Sequence, residues 1–379
     1  MALKLERRME PSRTANIVVP IVSVVLGLLA GAVLLALVGV NPLETYKAMA
    51  EGALGSTYAI SETLVRAIPL MLTGLAVSIA FRMLFWNIGA EGQLAMGAFA
   101  AAGVALFLPG VVPDISAWLL LPAMFVAAFA AGAMWGLIPA ALKGFWGVNE
   151  IITTLMLNYV AILWIQYLYF GPWKDPQGFG FPGTAPFPEA AYLPRFKDSF
   201  PGLAETVNTG RMHWGLLIAI LAAVFIWIVL GRTRWGYEIR VIGENPNAAR
   251  YAGINLLRNF LLVMILSGGL AGLAGLSQVA GISHRLQQGI VVGDGYTAII
   301  VAWLAGLNPF GVLIVAFLLA ALFVGGDQIQ ITMGLPAAVA GVLQGTILFF
   351  VLGGAFFKQY RIRWTHGSSQ VDAQAEAGV

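Results

Sequence analysis

From Ile17 to Val40 the chain runs for 24 residues without a charged side chain. A stretch of that length and character is long enough to cross a lipid bilayer, which takes about 20 apolar residues. It is also too long for the core of a secretory signal, typically 7–15 residues. The same character recurs to the end of the chain. Only 10% of the 379 residues are charged and 59% are hydrophobic, against about 25% and 45–50% in soluble domains. So few charges cannot clothe a water-exposed surface of this size. A soluble enzyme, a disordered chain and a disulfide scaffold are excluded, and the sequence reads as an all-α polytopic membrane protein.

Ten apolar stretches qualify as spans: 17–39, 64–85, 89–108, 116–142, 148–170, 214–231, 258–281, 290–306, 310–325 and 335–357. Gly and polar residues interrupt the runs around 60–110 and 282–334. Interrupted backbone at membrane depth is tolerated only where protein or a wet cavity surrounds it. Orientation follows from the basic residues, which favour cytoplasmic loops. The N-terminal tail 1–16, the loop 232–258 and the C-terminal tail 358–379 hold 12 of the 21 Lys and Arg, so all three are expected in the cytoplasm. Residues 17–357 then form one transmembrane domain with both termini inside. Tyr167, Tyr169, Trp173 and Trp214 are expected as an outer aromatic belt. The long loop on the outer side, 171–212, is rich in proline and reads either as a docking surface or as a lid over its own helices.

A weak internal repeat aligns 91–103 with 294–306, pairing Gly92 with Gly295, Ala95 with Ala298, Ala102 with Ala305 and Gly103 with Gly306. On the ten-span topology the first copy starts at the cytoplasmic face and the second at the outer face. Spans 2–5 and 7–10 would be inverted copies, an arrangement common in transporters.

A single polar residue inside an apolar segment reads first as an interhelical hydrogen bond, whereas a stripe of them reads as facing a wet path. Glu150, Thr153, Thr154 and Asn158 recur at helical spacing behind Asn149. With Glu91, Gln93, Asp294 and Gln344 they are the candidates for a translocation path, interhelical hydrogen bonding being the other reading of each. Glu91, Gln93, Asp294 and Asp327 lie near span ends, where capping of half-helices is the natural role. Arg66 and Arg82 are expected to snorkel, and the small-residue run Gly268–Gly275 to pack closely against a neighbour.

In the loop 232–258, Asn245 is a good N-cap, Pro246 suits the first helical position and Gly253 suits the stop. A helix of about two turns is expected there, displaying Asn247, Arg250 and Tyr251. It could rest on headgroups, or it could pass motion to the spans on either side.

Chemistry is conspicuous by what is missing. There is no cysteine, and the three histidines (His213, His284, His366) are far apart, so no metal or other cofactor is expected. No Gly-x-x-x-x-Gly-Lys-Ser/Thr phosphate loop occurs, and Ser277 with His284 is unsupported as a nucleophile–base pair. Neither a membrane enzyme nor an ion-coupled carrier with titratable groups in mid-span fits well.

Three segments carry a resemblance: Phe85-Trp-Asn-Ile-Gly-Ala-Glu-Gly-Gln93, Gly147-Val-Asn-Glu-Ile-Ile-Thr-Thr-Leu-Met-Leu-Asn-Tyr159 and Gly243-Glu-Asn-Pro-Asn-Ala-Ala-Arg-Tyr-Ala-Gly-Ile254. The chain resembles permease subunits of bacterial ABC importers for simple sugars, branched-chain amino acids and nucleosides. It is most similar to the nucleoside type that works with basic-membrane-lipoprotein binding proteins. The resemblance implies a coupling helix at 245–252, with Glu244, Asn245, Asn247, Arg250 and Tyr251 facing a separate ATPase subunit. It also implies a second, different permease chain, an external substrate-binding lipoprotein and a bacterial inner-membrane location among lipids; the net charge of only +3 gives no reason to expect a nucleic acid partner.

Overall fold

The computed structural model describes residues 2–7, 13–199, 202 and 208–365. The described helices run in the order α1 (Arg13–Leu37), α2 (Pro42–Leu54), α3 (Thr57–Arg82), α4 (Ala90–Val111), α5 (Ala117–Trp146), α6 (Glu150–Phe170) and α7 (Phe196–Ser199). Then follow α8 (Gly215–Arg232), α9 (Arg234–Glu244), α10 (Pro246–Tyr251), α11 (Leu256–Gln278), α12 (Asp294–Leu304), α13 (Pro309–Met333) and α14 (Ala337–Gln359). Among the described residues the regular structure is helical apart from a two-stranded antiparallel ribbon, β1 (Ala2–Arg7) with β2 (Tyr360–Thr365), in which Ala2 faces Thr365 and Arg7 faces Tyr360. Most of the tail 358–379 lies outside the described residues.

Among the described residues, seven helices are long and apolar enough to cross a membrane, or eight if Ile21–Leu37 and Pro42–Leu54, bent by 120° at their break, form one span. The described helices thus support an all-α multi-pass protein with seven or eight long spans rather than the ten expected. The eighth expected span shrinks to α12, whose 11 residues reach about 16 Å at 1.5 Å per residue, roughly half of a ~30 Å hydrocarbon core.

Two compact units divide the chain. One comprises 1–47 with 329–379, the other 48–328. In the smaller unit α1 packs on α14, and the Tyr46 hydroxyl donates to the Leu28 carbonyl at 2.6 Å. In the larger unit α3 and α11 form the centre. The apolar windows of these two helices are 89% and 78% buried, against 28–39% for the other candidate spans of that unit. Glycine makes the centre possible. A Cβ at Gly272 would run into the Ala128 carbonyl of α5, and one at Gly268 into that of Gly132. The Gly268–Gly275 run is thus a helix crossing where backbones touch, as small-residue stripes allow in membranes.

The loop 171–199 is stitched onto its own protein. Thr184 N donates to Leu286 O at 2.9 Å, Phe187 N to His284 O at 2.8 Å and Leu193 N to Ala280 O at 2.9 Å. These contacts hold the loop against its own helices and leave the choice between docking surface and lid open. Paired through the backbone with Arg195 of this loop, His213 is fully buried, accepting from Gly215 N at 3.1 Å. Burial, assisted by His284, Arg195 and Arg211, pushes its pKa down to about 4. Tyr169 is buried rather than part of an exposed aromatic belt.

Candidate functional site

The site begins with a reversal of the chain. After α3 ends at Arg82, residues 83–89 double back into the protein. Asn87 Nδ2 donates to Ser267 Oγ at 3.0 Å, and that hydroxyl donates to Ala76 O, well inside α3, at 2.6 Å. Helix α4 therefore starts at a buried depth.

So does α12. Asp294 at its start meets Arg66 of α3, while Trp303 near its end lies 6.1 Å, ring to ring, from Phe81 near the end of α3. Helix α12 thus runs parallel to α3. Helix α11 runs the opposite way, since its Ser267 meets Ala76 and its Gln278 meets Asp294 beside Arg66. Gln93 is joined through Asn87 to Ser267 and Gly97 abuts Gly272, so α4 follows α11. Two helices therefore leave one buried junction in opposite directions. The expectation that the two repeat copies start at opposite faces is corrected here: Glu91 and Asp294, aligned in the repeat, start their helices side by side.

Polar groups fill the junction. The Glu91 carboxylate accepts from Gly293 N at 2.6 Å through Oε1 and from Gly295 N at 2.5 Å through Oε2. It thereby satisfies amides at the start of α12, where the helix dipole favours negative charge. Asp294 accepts from Arg66 Nη1 at 3.0 Å and from Gln278 Nε2 at 3.1 Å. Arg66 also lies over the Phe323 ring, 5.5 Å from its centroid. It is an ion-pair partner, not the snorkelling residue its position near a span end suggested.

On the α4 side Asn158 Oδ1 accepts from Gly92 N at 2.8 Å. Its Nδ2 donates to Ile88 O at 2.9 Å and to Tyr296 Oη at 3.2 Å, bridging both helix starts. Asn87 and Gln93 exchange amide hydrogen bonds at 3.0 and 3.2 Å. Thr154 Oγ1 accepts from Ile88 N at 3.2 Å. Glu91, Gln93, Asn158 and Asp294 are each no more than 1% exposed, so pairing is obligatory at such depth.

Glu91, Gln93, Thr154, Asn158 and Asp294 are thus brought together. Glu150 stands at the edge of the group as the ion-pair partner of Lys143, whose ammonium lies over Phe85 and Phe260. Asn149 is exposed and caps α6, accepting from Ile151 N and Ile152 N. The Thr153 hydroxyl donates to the Asn149 carbonyl. Gln344 lies in the other unit. Sequence reasoning missed Arg66, Asn87, Ser267, Gln278 and Tyr296. Asn87 was within reach, since it belongs to the 85–93 motif.

At the far end of α3 the loop 232–258 folds as α9 and α10. Asn245 caps α10, accepting from Asn247 N at 2.9 Å and Ala248 N at 3.1 Å, and Gly253 stops it at φ +76°. Glu244, Asn247 and Arg250 are exposed and Tyr251 is 95% exposed, while Ala249 is buried. Helix α9 was not foreseen. Its Gly243 sits where a Cβ would strike the Arg82 carbonyl, so this elbow leans directly on the end of α3.

Residues 59–352 match the family described as branched-chain amino acid transport system / permease component. The chain is 38% identical to a glucose ABC transporter permease protein of Haloferax volcanii, over 99% of this chain and 98% of the relative. It is 35% identical to a guanosine ABC transporter permease protein of Bacillus subtilis, over 94% and 97%. A nucleoside ABC transporter permease protein of Lactococcus lactis is 31% identical over 90% and 92%. Among solved structures, PsaBC from Streptococcus pneumoniae in complex with Fab is similar at a TM-score of 0.43 and 14% identity, covering 81% of this chain and 94% of that one.

Proposed function

The chain belongs to the branched-chain amino acid transport system / permease component family, and from that premise we propose that it forms the translocation path of an ATP-driven importer for nucleosides. It is a multi-pass transport subunit and not an enzyme. In this reading both termini face the cytoplasm of a bacterial inner membrane. ATP is hydrolysed on a separate subunit, a second and different permease chain completes the path, and an external lipoprotein delivers the solute.

One observation carries the coupling. Helix α10 presents Asn247, Arg250 and Tyr251 outward, and the elbow behind it rests on the end of α3 through Gly243 and Arg82. The other half of α3 holds Arg66, and through it Asp294 at the junction. An ATPase that grips α10 thus acts on the helix that anchors the two half-helix starts. Discontinuous helices meeting near mid-membrane are the elements that alternating access moves.

Nucleoside transport is supported by the guanosine and nucleoside permeases among the relatives. The glucose permease at 38% identity favours a second reading, a sugar importer. Purification of the detergent-solubilised chain from its native membrane tests the assembly. The expected result is co-purification of an ATPase and a second permease, with labelled guanosine uptake competed by uridine and not by ribose or glucose. The reverse competition supports the sugar reading. A chain that purifies alone and transports in liposomes without ATP overturns both.

A further inference from the structure

Between the C-terminal half of α6 and the segment leading into α12 lies a cavity of about 280 Å³, lined by Gln166, Tyr169, Gln287 and Gln288 with Ile165 and Ile290 among the apolar remainder. No residue in its lining is charged. Among the described residues, none of the three glutamine side chains or the Tyr169 hydroxyl has a hydrogen-bond partner. That contrasts with the junction, where each carboxylate and amide is engaged. The cavity adjoins that junction: Ile290 and Val291 line it, and Gly293, two residues on, donates to Glu91.

We infer that this cavity holds the transported molecule next to the helix junction, and that it takes a neutral, hydroxyl-bearing solute while rejecting zwitterionic amino acids. The inference rests on the importer reading and adds its chemical selectivity. A glutamine amide offers both donors and an acceptor, which suits hydroxyl groups that themselves donate and accept. Tyr169 adds an aromatic side chain with a polar hydroxyl to the lining. An amino acid would bring an ammonium and a carboxylate into a lining that supplies neither counter-charge. At the adjoining junction Glu91 is held by two amides and Asp294 by Arg66 and Gln278. Burying an unpaired charge is costly. The volume sits at the lower edge of small-molecule sites, roughly 300–1,000 Å³, which favours a solute of one or two rings.

The test uses the complete importer in proteoliposomes, with its ATPase, partner permease and binding protein. Uptake of guanosine, glucose and leucine is measured against concentration. Gln166→Leu and Gln287→Leu are expected to raise KM for the transported solute about tenfold each, with Vmax little changed, as for a lost hydrogen bond to bound solute. Gln166→Asn, which keeps the amide, is expected to recover most of that loss. KM values equal to wild type for both leucine variants would overturn the cavity. A second measurement covers variants that fail to assemble. The chain has no cysteine, so Gln288→Cys gives a single thiol for N-ethylmaleimide, and guanosine or glucose in turnover should slow its labelling where leucine does not. Equal labelling under all three overturns the inference. Wild-type importer that moves leucine, and neither guanosine nor glucose, overturns the importer reading above and the cavity's selectivity with it. Uptake of guanosine or glucose with unaffected variants overturns the cavity alone.

Discussion

The carboxylate of Glu91 accepts a hydrogen bond from the backbone of Gly295, 204 positions further along the chain, at 2.5 Å. One helix start is capped by a side chain belonging to another. Capping usually comes from the residue just before a helix, and α12 has Gly293 there, with no side chain to offer. The contact therefore does for α12 what local sequence does not. It also fixes the distance between two helices that diverge from the same place.

Glu91→Ala strands the amides of Gly293 and Gly295 in a buried setting. Unsatisfied buried donors cost roughly 1–3 kcal/mol each, so a large drop in thermal midpoint is expected, with uptake falling by an order of magnitude or more. Glu91→Gln keeps an acceptor for one amide and should land between. Unfolding followed by tryptophan fluorescence in detergent, paired with proteoliposome uptake, measures both. A midpoint for the alanine variant equal to wild type would show that the amides find other partners.

Arg66 and Asp294 should prove energetically coupled. Removing one partner of a buried pair costs roughly 3–5 kcal/mol. Less is expected here, because the Arg66 side chain is 28% exposed while that of Asp294 is 2% exposed. Arg66→Met and Asp294→Asn are each expected to destabilise, and the double variant to lose less than their sum. A double-mutant cycle that closes to zero would show the two residues to be independent.

Arg250→Glu and Tyr251→Ala lie on an exposed surface, where substitutions usually shift stability by less than about 0.5 kcal/mol. Both variants should insert and melt like wild type. Both should lose most of the co-purifying ATPase and most of the ATP-driven uptake. Retention of both by Arg250→Glu would remove α10 from the coupling route.

His213 gives the lid a pH dependence. Its pKa is about 4 in the folded protein and about 6.5 in an unfolded chain. Below pH 6.5 the unfolded state takes up the proton first, so stability falls as pH drops and levels off below about 4. The loss should reach about 2 kcal/mol by pH 5. Limited proteolysis of the loop 171–212 at pH 7.5 and pH 5 reads this directly. His213→Gln should flatten the difference, and an unchanged profile in that variant would assign the effect to His284 or another group.

What the sequence made legible was local. Asn245, Pro246 and Gly253 bracket α10 because a cap, a first-turn proline and a left-handed stop act within a few residues of each other. The Gly268–Gly275 crossing was readable because small side chains at helical spacing have few other uses. The length of α12 was not, since apolar residues continue on both sides of an 11-residue helix and composition does not mark its ends. Nor was Arg66 readable as a partner of Asp294. Their pairing spans 228 positions, and a cation near a span end looks the same whether it turns to water or inward. The repeat pointed to Glu91 and Asp294 as equivalents but gave their depth wrongly, because the doubling back at 83–89 adds no hydropathy signal.

The stitching of the loop 171–199 to residues 280–288 gives the protein a lever arm. Thr184 grips Leu286, and a few residues beyond Leu286 the chain reaches Gly293 and the Glu91 carboxylate. Six residues of chain, 287–292, thus join the hydrogen-bonded loop to the point where two half-helices are pinned.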